Sequence, residues 1–280
     1  MLKNRISFII LIIALAFVTL FAGTGFGISN LPFDDYKNII NLANTDDNDD
    51  DKDAILAYQK MLELKPQSYW TIAALNFMIE GPALNVEKNF EEYLKPTNEA
   101  TKITLCTLYY YRWPKDFLKL VSEIENSPNI YGVYANLLLS FYYLGDAPDH
   151  PTDPEKGLSY LIKASKISIM SKEVELYISE EIAAIYITHL HKETEGLKIN
   201  EEILKKVSND KEFESLYKNE LYKQDLYLKM IISYSKNNKK EEAKKYFENM
   251  KKEIPNYKKY DLLEKTLIDP KSHPELQIIY

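Results

Sequence analysis

The sequence predicts an all-α protein, and three observations support this prediction. Apolar residues recur at spacings of three and four, in segments bounded by Pro, Asn, Asp or Ser, which is typical of amphipathic helices. No segment alternates between apolar and polar residues as a half-buried strand would. Only 8 of the 280 residues are Gly, and three of these lie between Gly23 and Gly27, which leaves too few for a turn-rich β-protein.

Residues 1–29 are typical of an export signal. Lys3 and Arg5 precede an almost wholly apolar run at residues 6–22, and small residues follow it. The run is longer than most signal-peptide cores and slightly short for a comfortable membrane span. Cleavage and retention as a single-pass inner-membrane anchor therefore both stay open. Either outcome predicts an extracytoplasmic location for residues 30–280, in a bacterial periplasm, because the positive charges precede the run.

Residues 30–50 are predicted to form an acidic linker with room for a short helix. The acidic run from Asp46 to Asp53 invites comparison with a calcium-binding loop, but no alignment places Gly at the sixth position and Glu at the twelfth. We interpret the run as a solvated segment that leads into a helix N-terminus, where acidic side chains suit the positive end of the helix dipole.

Residues 51–267 are predicted to form a helical-repeat domain, which a C-terminal tail of residues 268–280 follows. Asp153, Pro154 and Glu155 form a good helix start within it, because they combine a capping oxygen, a Pro in the first turn and an acid beside the helix dipole. The periodicity predicts hairpins built from helices at 51–64, 68–79, 84–94, 98–111, 115–125, 130–144, 154–168, 171–191, 197–207, 211–236, 239–253 and 257–267.

Two copies of one spacing indicate that helical hairpins are repeated. Each copy has a small residue, a ring, a Met and a Pro: Ala54, Tyr58, Met61 and Pro66 in the first, and Ala243, Phe247, Met250 and Pro255 in the second. A small residue lets the paired helix approach, the ring fills the groove, and Pro ends the helix. Residues 224–257 therefore resemble one tetratricopeptide repeat of about 34 residues.

The middle of the chain resembles the related Sel-one-like repeat family. Leu138, Tyr142 and Gly145 have the spacing of that family's first helix, and residues 153–165 resemble its second-helix signature, with Gly157 in place of the usual Ala. The intervening loop is longer and richer in Pro than is usual. The resemblance implies a right-handed superhelical stack of antiparallel helix hairpins, an α-solenoid whose concave face binds proteins.

The resemblance also implies a partner-binding face. On the repeat spacing, seven side chains are predicted to face the concave surface: Asn136, Ser140, Tyr143, Asp225, Leu228, Ile232 and Ser235. We expect them to contact a partner protein mainly through apolar and tyrosine contacts.

No chemistry-bearing motif emerges from the sequence, and no cofactor or metal is predicted. Cys106 lies in an apolar run and is expected to be a buried small hydrophobe. His189 and His191 would point away from each other on a helix, so they cannot hold one ion. The net charge of −7, with Arg112 the only arginine after Arg5, disfavours nucleic acid as a partner.

The sequence therefore predicts a non-catalytic, exported protein-interaction module. The resemblance to the Sel-one-like family implies an alternative within that class, an immunity protein that neutralises a secreted toxin. A cell-wall enzyme on a helical scaffold is the alternative from another class, and it would require Glu214, or another carboxylate of raised pKa, in a cleft.

Overall fold

All secondary structure that the computed structural model describes is helical. The described residues are 31–43, 48–80, 94, 96–145 and 149–268, and they contain no strand. A 3₁₀ turn at Lys211–Phe213 accompanies α-helices that we number α1 (Leu31–Ala43), α2 (Asn48–Leu64), α3 (Tyr69–Glu80), α4 (Glu99–Arg112), α5 (Pro114–Ser122), α6 (Ile130–Leu144), α7 (Pro154–Ser165), α8 (Lys172–Thr188), α9 (Glu193–Asn209), α10 (Glu214–Lys218), α11 (Glu220–Lys236), α12 (Lys240–Glu253) and α13 (Tyr260–Ile268).

The all-α prediction is confirmed for the described residues, and several helices lie where the periodicity placed them. The bounds of α6 are those predicted, and α2 begins at Asn48, inside the acidic run. Asp153 caps α7 as expected, since its side chain accepts a hydrogen bond from the Lys156 backbone N–H. The helix predicted at 84–94 lies outside the described residues except for Leu94.

The prediction of one continuous helix over residues 211–236 is wrong. The structure divides this segment into the 3₁₀ turn, α10 and α11, with the break at Asn219. Asn219 leaves the helical region, at φ −68° and ψ 114°, and its side chain accepts hydrogen bonds from the backbone N–H groups of Leu221 and Tyr222. Such a cap competes with the backbone hydrogen bonds that would continue the helix, and a new helix therefore starts at Glu220.

Helix α1 occupies the segment for which only an acidic linker with room for a short helix was predicted. It packs against α2 and α3. The Phe33 and Tyr36 rings lie 4.6 and 5.3 Å from the Trp70 ring, between centroids, so aromatic contacts fix α1 to α3.

Contacts between Cα atoms divide the chain into two compact units, Met1–Ile178 and Ser179–Tyr280. In the first unit, neighbouring helices pack as the pairs α1–α2, α4–α5 and α6–α7, and α6 also packs on α4. The small, aromatic and Met positions of the first repeated spacing, Ala54, Tyr58 and Met61, are buried on α2. The spacing therefore marks the face of α2 that packs, as the sequence indicated.

Helices α6 and α7 approach closely where the sequence has Gly157. A Cβ atom at this position would lie 3.1 Å from the Ser140 carbonyl oxygen and 3.2 Å from a Leu144 methyl carbon. Gly145 ends α6 in the left-handed region, at φ 81°, which glycine adopts without strain. Two glycines thus permit the close pairing and the start of the loop that follows α6.

The second unit is built around the pair α11–α12, with α9 and α13 packed on α11. Ala243, Phe247 and Met250 of α12 are buried against Ile231 of α11 and Leu263 of α13. The second copy of the repeated spacing therefore also marks a buried face.

Candidate functional site

Five of the seven residues predicted to bind a partner are buried within the fold. Asn136 and Ser140 have no exposed surface, and Leu228, Ile232 and Ser235 are at most 5% exposed. The prediction required these side chains to face solvent, so they cannot contact a partner in this structure.

The physical reason is that α6 and α11 are enclosed on more than one side. Helix α6 packs on α4, α5 and α7, and all but two of its residues are buried. Helix α11 packs on α9, α10, α12 and α13. In place of a recognition role, the Asn136 amide donates hydrogen bonds to the Glu125 and Gly132 carbonyl oxygens, at 2.8 and 2.7 Å, and so fixes the turn before α6.

The other two predicted residues, Tyr143 and Asp225, are partly exposed. The Asp225 carboxylate lies 2.7 Å from the Lys229 Nζ, which is also 3.3 Å from the carboxylate of the buried Glu180. Asp225 is therefore held in an internal charge cluster. Tyr143 is partly exposed, and its ring contacts the Tyr160 ring and the Lys156 ammonium group.

Tyr143 belongs to a continuous set of ring contacts, which we call the aromatic cluster. It runs through α4, α5, α6, the α6–α7 loop and α7, and its members are Tyr110, Tyr111, Phe117, Tyr142, Tyr143, His150 and Tyr160. Tyr110 and Phe117 lie at its fully buried end, whereas Tyr143 and Tyr160 lie at its partly exposed end.

His150 connects the α6–α7 loop to the interior of the aromatic cluster. It is only 7% exposed, and its Nε2 atom lies 2.9 Å from the Tyr110 carbonyl oxygen. Its ring lies 4.7 Å from the Tyr110 ring and 4.3 Å from the Tyr142 ring, between centroids. Sequence reasoning missed this residue, although the unusual length of the loop was a signal that the loop makes contacts of its own.

The partly exposed end of the cluster forms a small surface, which we call the Tyr143 surface: Tyr143, Lys156 and Tyr160. The two tyrosine rings stack with centroids 5.6 Å apart and planes 10° from parallel. The Lys156 Nζ lies 3.9 Å from the Tyr143 ring centroid. Stacked tyrosine rings combine apolar area with hydroxyl groups, and tyrosine is enriched at protein interfaces. The ammonium group adds a cation–π contact at the edge of this surface.

The electrostatics of the Tyr143 surface keep the lysine charged and the Tyr160 ring neutral. A hydrogen bond with Tyr143 raises the pKa of Lys156 above its usual value. Partial burial raises the pKa of Tyr160. At neutral pH the surface therefore presents an ammonium group beside a neutral hydroxyl group.

Glu214 and Cys106 are the two residues that the sequence singled out for possible reactivity. Glu214 is exposed and pairs with the Lys218 Nζ at 2.5 Å, and that hydrogen bond lowers its pKa, whereas the enzyme alternative required a raised one. Cys106 is fully buried, as expected, and burial raises its pKa. Among the described residues, no group of three or more His, Cys, Asp or Glu side chains could hold a metal ion.

Comparison with known proteins assigns no family. No protein-family model, curated protein or solved structure matches the chain. Within the part of the chain that the structure describes, no helix is long and apolar enough to cross a membrane, and the apolar run at residues 6–22 lies outside that part.

Proposed function

We propose that this chain is a non-catalytic, exported protein-interaction module that binds a partner protein. The observation that supports this proposal is the Tyr143 surface. Tyrosine rings provide a large contact area with few rotatable bonds, so ordering them on binding costs little conformational entropy. Tyr143 and Tyr160 are already held against each other, so that cost is lower still.

The finer fold assignment is part of the same proposal. We place the described helix pairs in a right-handed stack of the tetratricopeptide or Sel-one-like kind. Burial of the small, aromatic and Met positions on α2 and α12 supports this assignment, because those positions pack against neighbouring helices in such repeats. The proposed partner site differs from the sequence prediction, since it is centred on the α6–α7 hairpin.

Export is proposed on the sequence alone. The basic residues before the apolar run at residues 6–22 favour transfer of the rest of the chain out of the cytoplasm. In that setting the partner is a protein of the periplasm or of the inner membrane.

Photo-cross-linking in the native host tests the proposal. The full chain carries a C-terminal tag and a photoreactive amino acid at Ser159, an exposed neighbour of Tyr160, or at the exposed Lys244 on α12 as the control. We expect a discrete adduct with one protein from position 159 and none from position 244. Absence of any adduct from either position, at normal expression, would overturn the proposal.

The identity of the adduct separates the two kinds of partner. A secreted toxin would assign the immunity role, and a component of an envelope assembly would assign the scaffold role. The Glu214→Gln variant tests the enzyme alternative. If the chain is a cell-wall enzyme that uses Glu214, the substitution abolishes turnover of the substrate. If the chain is a binding module, the substitution leaves the yield of the photo-adduct unchanged.

A further inference from the structure

Helix α7 and the segment after it concentrate positive charge in an acidic protein. The whole chain has 42 acidic and 35 basic residues, yet between Glu155 and Glu173 there are four lysines and no acidic residue. Charges further away than about 8 Å are largely screened at physiological salt, so a ligand at α7 experiences mainly the charges close to that helix and not the net charge of −7.

The packing of α7 directs most of this charge outwards. Gly157, Leu161 and Ala164 are buried and define the inner face of the helix. Ser159, Ile162 and Lys166 lie on the opposite face of the helix, and all three are exposed. The inner face therefore fixes the helix on α6, and the outer face is left for solvent or for a partner.

Large apolar side chains are exposed among these lysines. Ile162 is 38% exposed on the outer face of α7, and Ile169 is 47% exposed in the segment before α8. We call the combined surface the lysine strip: Lys156, Ile162, Lys163, Lys166 and Ile169. It is continuous with the Tyr143 surface through Lys156 and through Lys163, whose Nζ lies 6.0 Å from the Tyr160 ring centroid.

Of the three lysines in the strip, Lys163 has partners within the fold, whereas Lys156 and Lys166 are exposed. The Lys163 Nζ donates a hydrogen bond to the Asn126 side-chain oxygen at 2.9 Å and lies 3.5 Å from the Glu125 carboxylate, so its charge is balanced within the fold. Lys156 is exposed, and its Nζ lies over the face of the Tyr143 ring. Lys166 is exposed at the C-terminal end of α7.

We infer that the lysine strip binds an acidic, amphipathic segment of the partner protein. This inference rests on the proposed function and specifies the chemistry of the partner. Carboxylates on the segment pair with Lys156 and Lys166, and its apolar residues cover Ile162 and Ile169, which would otherwise stay in water. Apolar side chains at the centre of the charge favour a protein segment over nucleic acid, whose phosphates would leave both isoleucines uncovered.

A zero-length carbodiimide cross-linker tests this inference, because it joins a lysine amine to a carboxylate only when the two groups are in contact. It is applied to cells that produce the tagged full chain, and adducts are mapped by mass spectrometry. We expect the partner captured at position 159 to be joined through Lys156, Lys163 or Lys166. Partner carboxylates joined instead to the exposed α12 lysines Lys244 and Lys252 would overturn the inference.

Two matched variants measure the contribution of the charge. Lys156→Gln with Lys166→Gln is expected to lower the yield of the photo-adduct from position 159 at least fivefold, whereas Lys244→Gln with Lys252→Gln is expected to change it less than twofold. Equal yields from both variants would overturn the inference and leave the proposed function standing. Absence of the photo-adduct from the unaltered chain would overturn both.

Other ligands of the strip give different results in the same experiment. A second copy of this chain joined to the strip would overturn the inference, since the occupant would then be an acidic segment of the protein itself. Loss of membrane association in the Lys156→Gln, Lys166→Gln variant, without any protein adduct, would assign the strip to phospholipid and would also overturn the inference.

Discussion

Two fully buried tyrosines of the first unit differ in how their hydroxyl groups are satisfied. Tyr134 donates a hydrogen bond to the Pro66 carbonyl oxygen at 2.9 Å, whereas the Tyr58 hydroxyl group is buried without a hydrogen-bond partner. Burial raises the pKa of both side chains, so both stay protonated. A buried hydroxyl group without a partner loses its hydration and gains nothing in return.

Removing each hydroxyl group should therefore change stability in opposite directions. Tyr58→Phe keeps the ring and is expected to raise the free energy of unfolding by about 1 kcal/mol. Tyr134→Phe is expected to lower it by about 1 kcal/mol, because the Pro66 carbonyl oxygen loses its donor. Urea denaturation at pH 7 measures both values. Equal destabilisation by the two substitutions would show that the Tyr58 hydroxyl group is satisfied in solution.

At the scale of the helices, one carboxylate connects three elements of the second unit. Glu253, at the end of α12, accepts hydrogen bonds from Tyr227 of α11 at 2.6 Å and from Tyr217 of α10 at 2.8 Å. The Lys223 Nζ lies 3.3 Å from the same carboxylate. Burial alone would raise the pKa of Glu253, but the bonds from Tyr227, Tyr217 and Lys223 outweigh burial and lower it.

The lowered pKa makes this connection sensitive to acid. A carboxylate whose folded pKa lies below its unfolded value of about 4.3 contributes stability above that pH, and the contribution is lost as pH falls through the folded pKa. Glu253→Gln is therefore expected to lower the free energy of unfolding by about 1 kcal/mol at pH 7, and by less as the pH falls below about 4. Chemical denaturation at several pH values measures this difference.

A matched substitution controls for the general effect of charge. Glu248→Gln removes a charge from an exposed position on α12 and is expected to change the free energy of unfolding by less than about 0.5 kcal/mol at every pH. If the loss in free energy of unfolding caused by Glu253→Gln stayed constant down to pH 3, that result would contradict the assigned role of the carboxylate.

The helices were predictable from sequence where packing agrees with periodicity, and they were not where local capping competes with it. Helix α6 follows its apolar pattern to the residue, whereas the Asn219 cap divides a pattern that continues through it. The candidate site was less predictable, because repeat spacing identifies a residue's position on a helix and not how many neighbours cover it. Burial of Ser140 and Ile232 depends on those neighbours, and the contact of His150 with Tyr110 joins positions that are distant in sequence.

At the scale of the whole molecule, each of the two units contains fully buried apolar residues. Met250 has no exposed surface in the second unit, and Leu138 has none in the first. Met250→Ala and Leu138→Ala are each expected to lower the free energy of unfolding by about 2–5 kcal/mol, because each leaves a cavity. Hydrogen exchange read by mass spectrometry should show faster exchange mainly in the unit that carries the substitution. Equal acceleration in both units by either variant would mean that they unfold as one.

The burial of His150 has a practical consequence for placing tags and labels in this protein. Connections between helices usually accept inserted sequence, because their side chains lie in water. The loop after Gly145 differs, since an insertion there would pull the imidazole ring away from the Tyr110 carbonyl oxygen. The turn at residues 237–239 is the better position for an epitope, because its central residue, Asn238, is exposed and already adopts the left-handed backbone of a tight reversal.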